Sequence, residues 1–212
     1  YNWVILIDYQ ILFTFSAAVA VLAISPGPDN IYVGLQSVQF GFKKAFMVIL
    51  GLMSGCLIHT SFLAFGFSVV LKEYPSLFIG IKTAGALYLF YLAVSLLRSG
   101  APQTLSSTAV AEKPGASLYL QGLLMNLLNP KVSLFFLSFF PGFLFLPGTE
   151  TYLQFYASGL VFILVSTLVF SGIAVMASTL FRNLDRHSVF LNYLHWAQIL
   201  LFATIGVFLL LP

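Results

Sequence analysis

The sequence predicts an all-α integral membrane protein: six transmembrane helices in two inverted three-helix repeats, with spans one and four broken at proline motifs. Three observations carry that prediction. Charged residues make up 7% of the 212-residue chain and hydrophobic residues 60%, with a mean hydropathy of +1.01, whereas a soluble domain is roughly a quarter charged. The apolar runs are continuous and far longer than the about ten-residue alternating segments of a membrane β-barrel. Two of the runs are interrupted by helix breakers, Pro26 and Pro130 lying 104 residues apart, and each interruption brings one formal charge.

The spans are drawn at residues 9–38, 44–71, 76–97, 118–146, 151–181 and 189–211. The first and fourth are long because each holds a break, and as paired half-helices both reach the roughly 20 apolar residues that cross a bilayer. Connections are short except for Arg98–Ser117, rich in Ser, Thr, Ala, Gly and Pro and without helical periodicity, which reads as a flexible linker. It divides the chain into a first repeat (1–98), a linker (99–117) and a second repeat (118–212). With three spans in each half, the second must insert upside down. The offset that carries Pro26 onto Pro130 also carries Gly55 onto Gly159. Inverted repeats with discontinuous helices at matching places point to a secondary transporter with its site at the membrane midplane. The connections after spans one, three and five hold Lys43, Lys44, Arg98, Lys113, Arg182 and Arg186, against Lys72 and Lys82 on the other side. That bias puts the richer side in the cytoplasm and both termini outside. The chain begins at Tyr1 rather than Met, so further residues are expected to precede it.

The chemistry concentrates at the two interruptions, Ser25-Pro26-Gly27-Pro28-Asp29-Asn30 and Asn126-Leu127-Leu128-Asn129-Pro130-Lys131. Non-helical backbone at membrane depth is tolerated where it lines a wet cavity or is buried in protein, and a charge there costs about 2.5–3.5 kcal/mol on insertion scales. Pro26 and Pro28 cannot donate to the carbonyls of Leu22 and Ile24, which become acceptors for an ammonium group or cation, and Gly27 lets the chain turn. Pro28, Asp29 and Asn30 suit a restarting helix, with Asp29 stabilised by the dipole it sits on. In the second motif Asn129 reads as the cap, Pro130 as the first helical residue and Lys131 as a first-turn cation opposed by that dipole; Pro130 frees the Asn126 carbonyl. Lys131 therefore calls for an anion, either Asp29, a substrate carboxylate, or each in turn. An α-amino acid, with its ammonium and carboxylate a few ångströms apart, complements such a pair.

The remaining polar residues say less. Gly51 and Gly55 form a close-packing GxxxG pair, expected to pack within one chain, with a homodimer as the second reading. His59 is a candidate cavity-lining or proton-relay residue, and Tyr88 and Tyr91 are lining candidates. Tyr74, Tyr119, Tyr152, Tyr193 and Trp196 read as interfacial anchors. His187 and His195 lack carboxylates at ligand spacing. The single cysteine, Cys56, excludes an intrachain disulfide and a CxxC pair, which nearly excludes a membrane thiol carrier of electrons. No nucleotide loop, GxSxG elbow or HExxH motif occurs. The sequence thus points to neither an enzyme nor a resident metal or cofactor, and a net charge of +3 does not suggest nucleic acid. An ion or proton gradient is the economical drive. The alternative is a divalent-cation exporter, for which Asp29, His59 and Cys56 are the candidate ligands.

These motifs resemble the lysine exporter (LysE/RhtB) superfamily, especially its threonine/homoserine-exporter branch. The carriers of the resemblance are Ser25-Pro26-Gly27-Pro28-Asp29, Gly41 with Lys43-Lys44, Gly51/Gly55, Gly85-Ala86-Leu87-Tyr88-Leu89, and Gly122-Leu123-Leu124-Met125-Asn126-Leu127-Leu128-Asn129-Pro130-Lys131 followed by Phe135-Phe136 and Pro141. Gly142 stands where many relatives carry glutamine. The resemblance implies a six-helix exporter of the bacterial inner membrane that moves amino acids out of the cell on the proton gradient, and with the charge bias above both termini are then periplasmic. Similar members export basic, branched, hydroxylated or sulfur-containing amino acids, and a related branch handles cadmium.

Overall fold

The computed structural model describes residues 9–25, 27–67, 75–99, 112–143 and 150–180, with isolated helical positions between 196 and 210. Pro26, Lys72, Tyr74, Arg182, Arg186, His187, Tyr193, His195 and most of the 99–117 linker lie outside the described residues. Among the described residues every regular element is helical.

The chain opens with α1 (Tyr9–Ile24) and α2 (Pro28–Phe40), which meet at a 64° bend. Helix α2 ends at Gly41, whose φ of 81° and ψ of 169° lie in a region open essentially to glycine alone. This turn delivers the chain into α3 (Phe42–Phe62), which continues as a π-helical turn over Leu63–Phe67. Next come α4 (Pro75–Ser99), α5 (Gly115–Leu127) and α6 (Pro130–Leu134). Helix α6 runs on through π-helical Phe135–Phe139 and 3-10 Phe140–Phe143, and this second pair is bent by 50°. Helix α7 (Thr151–Leu180) is the longest.

Two of these helices, α3 with its extension and α7, are long and apolar enough to cross a membrane, and counting each bent pair as one span gives four. Helix α4 contributes a shorter apolar stretch, Thr83–Arg98. The exterior matches a lipid solvent: Phe13, Phe62, Leu128 and Leu168 are 72–78% exposed, while Asp29, Asn126 and Lys131 are buried. A soluble protein shows the reverse.

Glycine brings the central helices together. A Cβ on Gly51 or on Gly122 would run into the backbone of the facing helix, Tyr119 and Leu123 in one case and Val48 in the other. The α3–α5 contact is therefore backbone against backbone, the use expected for small residues between membrane helices. It lies within one chain, as the GxxxG pair predicts. Helix α7 covers α1, α2 and α3. Below the second break, Phe135, Phe136, Phe139, Phe140 and Phe143 pack with Phe15, Phe155 and Phe162, with ring centroids 4.8–6.4 Å apart.

The linker ends earlier than its composition predicts. Helix α5 starts at Gly115, after Pro114 at φ −57°, because the proline ring already holds a helix-entry dihedral. Glu112 and Lys113 just before it are tied to the start of α3. Lys44 pairs with Glu112 at 3.1 Å and donates to the Lys113 carbonyl at 2.9 Å. Tyr119, expected as an interfacial anchor, donates its hydroxyl to Ser54 at 2.9 Å, while Tyr152 and Trp196 are 42% and 51% exposed.

Candidate functional site

Both breaks form where the prolines fall, and their charged residues point to one place. Gly27 caps α2 in extended backbone, Pro28 takes the first helical position and Asp29 lies in the first turn, where the helix dipole favours a carboxylate. Asp29 is 3% exposed and accepts from the Asn30 backbone N–H at 3.1 Å. At the second break Asn129 caps α6, accepting from the Lys131 N–H at 3.0 Å, with Pro130 next in line. Lys131 is 6% exposed, and its ammonium donates to the Ser25 carbonyl at 2.9 Å. The lysine of one break is thus held by the backbone of the other.

Gly27 shows how closely the groups converge. A Cβ there would overlap the Asp29 carboxylate and come within 3.3 Å of Lys131 Nζ and 3.6 Å of Asn30 Oδ1. Carboxylate and ammonium lie near enough for each to stabilise the other's charge. The contact ion pair among the described residues is Lys44–Glu112, at the end of the bundle; Lys131 gives its hydrogen bond to a carbonyl.

The acceptors seen in use at the first break are neighbours of those expected opposite the prolines. Helix α1 leaves its last carbonyls unbonded, as any helix end does, and Ala23 and Ser25 supply the ones in use. Asn30 Nδ2 donates to Ala23 O at 2.6 Å, and Lys131 takes Ser25 O. The Asn126 carbonyl is likewise not left free, because the turn that follows reuses it for the Asn129 N–H at 3.1 Å. The Asn126 side chain carries the interest instead. Its Nδ2 donates to Cys56 Sγ at 3.3 Å and its Oδ1 has no partner.

A closed cavity of about 20 Å³ lies at this convergence, lined by Leu22 and Ala23 of α1, Asp29 of α2, Met53 and Cys56 of α3, Asn126 of α5, Lys131 and Val132 of α6, and Phe162, Ser166 and Phe170 of α7. That is room for about one water molecule. Of its lining atoms, Asn126 Oδ1 and Ser166 Oγ are buried without a partner, and Ser25 Oγ, Asn30 Oδ1 and Asn129 Nδ2 are unpaired elsewhere at the two breaks. Buried polar atoms are nearly always bonded, so the two orphans that line this cavity mark a place built for a polar guest.

On the far side of the breaks a second, open cavity of about 480 Å³ runs along α5, lined by Leu120, Gln121, Leu124, Met125, Pro28, Asn129 and Pro130 among others. Pro28, Asn129 and Pro130 face this groove, while Asp29 and Lys131 face the closed chamber. In the groove wall Gln121 Oε1 accepts from Tyr32 and from Lys113, each at 2.8 Å.

Other expected residues fall at the margin or outside. His59 stacks on Phe136 with centroids 5.2 Å apart, its Nε2 unbonded. Tyr91 is 63% exposed and its ring lies 5.8 Å from that of Tyr88; neither lines either cavity. Among the described residues no three His, Cys, Asp or Glu side chains gather into a metal-ligand set. Sequence reasoning missed the α7 wall. Phe162, Ser166 and Phe170 recur every four residues and so share one face, but Ser158, Thr167 and Ser171 are scattered along the same apolar helix and nothing in the sequence singles Ser166 out.

A family model described as LysE type translocator matches residues 20–212. An uncharacterized membrane protein of Pseudomonas aeruginosa is 35% identical over 179 residues, covering 77% of this chain and 80% of its own. A leucine efflux protein of Enterobacter is 29% identical over 165 residues, covering 75% and 78%. A homoserine/homoserine lactone efflux protein of Salmonella typhi is 28% identical over 165 residues, covering 78% and 79%. No solved structure matches the chain. With its two breaks and with a match running over most of its length, the chain belongs to the LysE type translocator family.

Proposed function

We propose that this protein is a secondary active exporter of amino acids across the bacterial inner membrane, coupled to protons. Its zwitterion site lies between the two broken helices, with six spans in two inverted repeats and both termini in the periplasm. The observation that carries the reading is the meeting of Asp29, Lys131 and the unpaired side-chain oxygens of Asn126 and Ser166 on one buried cavity. The efflux relatives support the cargo. Lys131 takes the substrate carboxylate; Asp29, with the carbonyls of Ala23 and Ser25, takes the ammonium group. In the empty state these groups satisfy one another, and substrate arrival exchanges internal bonds for bonds to the guest. A cavity the size of a water cannot hold an amino acid, so the site must widen, and the two bends are the natural hinges. Opening toward the α5 groove on one side and toward the opposite face in turn gives alternating access.

Counterflow in proteoliposomes tests this. The full-length protein should exchange at least one labelled amino acid, and Asp29→Asn and Lys131→Ala should each abolish exchange while the purified protein stays monodisperse. Exchange at the wild-type rate by both variants would remove the assigned site.

A further inference from the structure

The hydroxyl of Ser166 differs from several others on the membrane helices. A serine or threonine in an apolar helix ordinarily returns its hydroxyl to the carbonyl four residues back. Ser54, Thr60, Ser61 and Thr167 do so, at 2.7–3.0 Å. Ser166, beside Thr167 and 1% exposed, has no partner, and it lines the closed chamber. Leaving a buried hydroxyl unpaired is costly, so an unbonded serine in the wall of the cavity calls for a guest that bonds to it.

The chamber is two-sided. The breaks supply its charged groups, Asp29 and Lys131, together with the unpaired Asn126 amide oxygen, whereas α7 supplies Phe162, Ser166 and Phe170. An amino acid whose carboxylate and ammonium are read at the breaks points its side chain at α7. There it meets two aromatic rings with one hydroxyl between them. The rings favour a short aliphatic stem, and the hydroxyl is the single polar atom α7 offers. We propose that Ser166 reads the substrate side chain, favouring a short aliphatic chain that carries a hydroxyl over its isosteric hydrocarbon. This rests on the amino-acid exporter reading above and adds to it a residue that discriminates cargo. A site that hydrogen-bonds a substrate hydroxyl rejects the analogue lacking it, because its own polar group is then stranded, whereas a purely apolar pocket discriminates weakly.

The test is counterflow in proteoliposomes with two matched pairs, homoserine against norvaline and threonine against valine, and lysine as a reference cargo. The wild type should prefer the hydroxylated member of at least one pair. Ser166→Ala should lower that preference roughly five-fold, the worth of one neutral hydrogen bond. Ser166→Cys, close in size with a weak donor, should lower it too and provides the reading if the alanine variant does not purify. An unchanged ratio in the variants, or a wild-type preference for both hydrocarbons, would overturn the assignment. Exchange of lysine with none of the four overturns it while leaving the exporter reading intact; exchange of no amino acid at all sinks both.

Discussion

The two breaks are built from similar breakers and solve opposite problems. At the first, the charge sits where the helix dipole favours it: Asp29 lies in the first turn of α2 behind a glycine cap that contributes no side chain. At the second, Lys131 lies in the first turn of α6 against the dipole, behind an asparagine that bonds its N–H. The favourable site needs no help: it uses the Ala23 carbonyl for its own Asn30 and lends the Ser25 carbonyl to the second break. The unfavourable site takes help from across the bundle. The lysine is thus stable only in the presence of the first break, so anything that separates the two releases it to seek another anion. Gly27 sits where that exchange would happen, and by the 104-residue offset it is the counterpart of Lys131 itself.

That asymmetry can be broken at graded cost. Lys131→Met leaves the Asp29 carboxylate buried without its cation, which typically costs about 3–5 kcal/mol, and counterflow should fall to background. Asp29→Asn should abolish counterflow with a smaller loss of thermal stability, since Lys131 keeps its Ser25 carbonyl. Equal destabilisation by both would mean that the two breaks depend on each other alike. Gly27→Ala comes next. Its methyl overlaps the carboxylate and crowds the ammonium, and a displacement of that kind at a binding site costs on the order of 10- to 100-fold in rate. Counterflow at the wild-type rate would show that the space over Gly27 is not used. Asn129→Ala removes the cap at the second break for about 1 kcal/mol, to be read as a lowered melting temperature in detergent. Tyr32→Phe is the smallest change. It removes one bond to Gln121, worth about 0.5–1.5 kcal/mol, and transport should stay within a few-fold of wild type.

Much of this site is legible from the chain alone because prolines, glycines and lone charges are rare in apolar sequence. Pro28, Asn129 and Pro130 occupy the helix positions their chemistry predicts, and Gly51 packs as a small residue should. The carbonyls were harder to assign. Counting outward from each proline points to Leu22 and Ile24, but a helix end frees every carbonyl of its last turn, and which are used depends on where a partner from another helix arrives. Tyr88 and Tyr91 look like lining residues for want of any marker distinguishing inside from lipid. The reverse holds for Ser166, which sits beside Thr167 with nothing in the sequence to show that it alone meets the charged chamber.

The sequence by itself determined that the chain is helical and membrane-borne, and that its helices break at two charged motifs; these follow from hydropathy and from backbone donors that proline lacks. Only the tertiary structure decided that Lys131 bonds the Ser25 carbonyl, that Gly27 leaves room between the charges, and that α7 closes the chamber with Ser166. Each of those is a contact between residues far apart in the chain, and its geometry is set by how the helices pack, which no local pattern encodes.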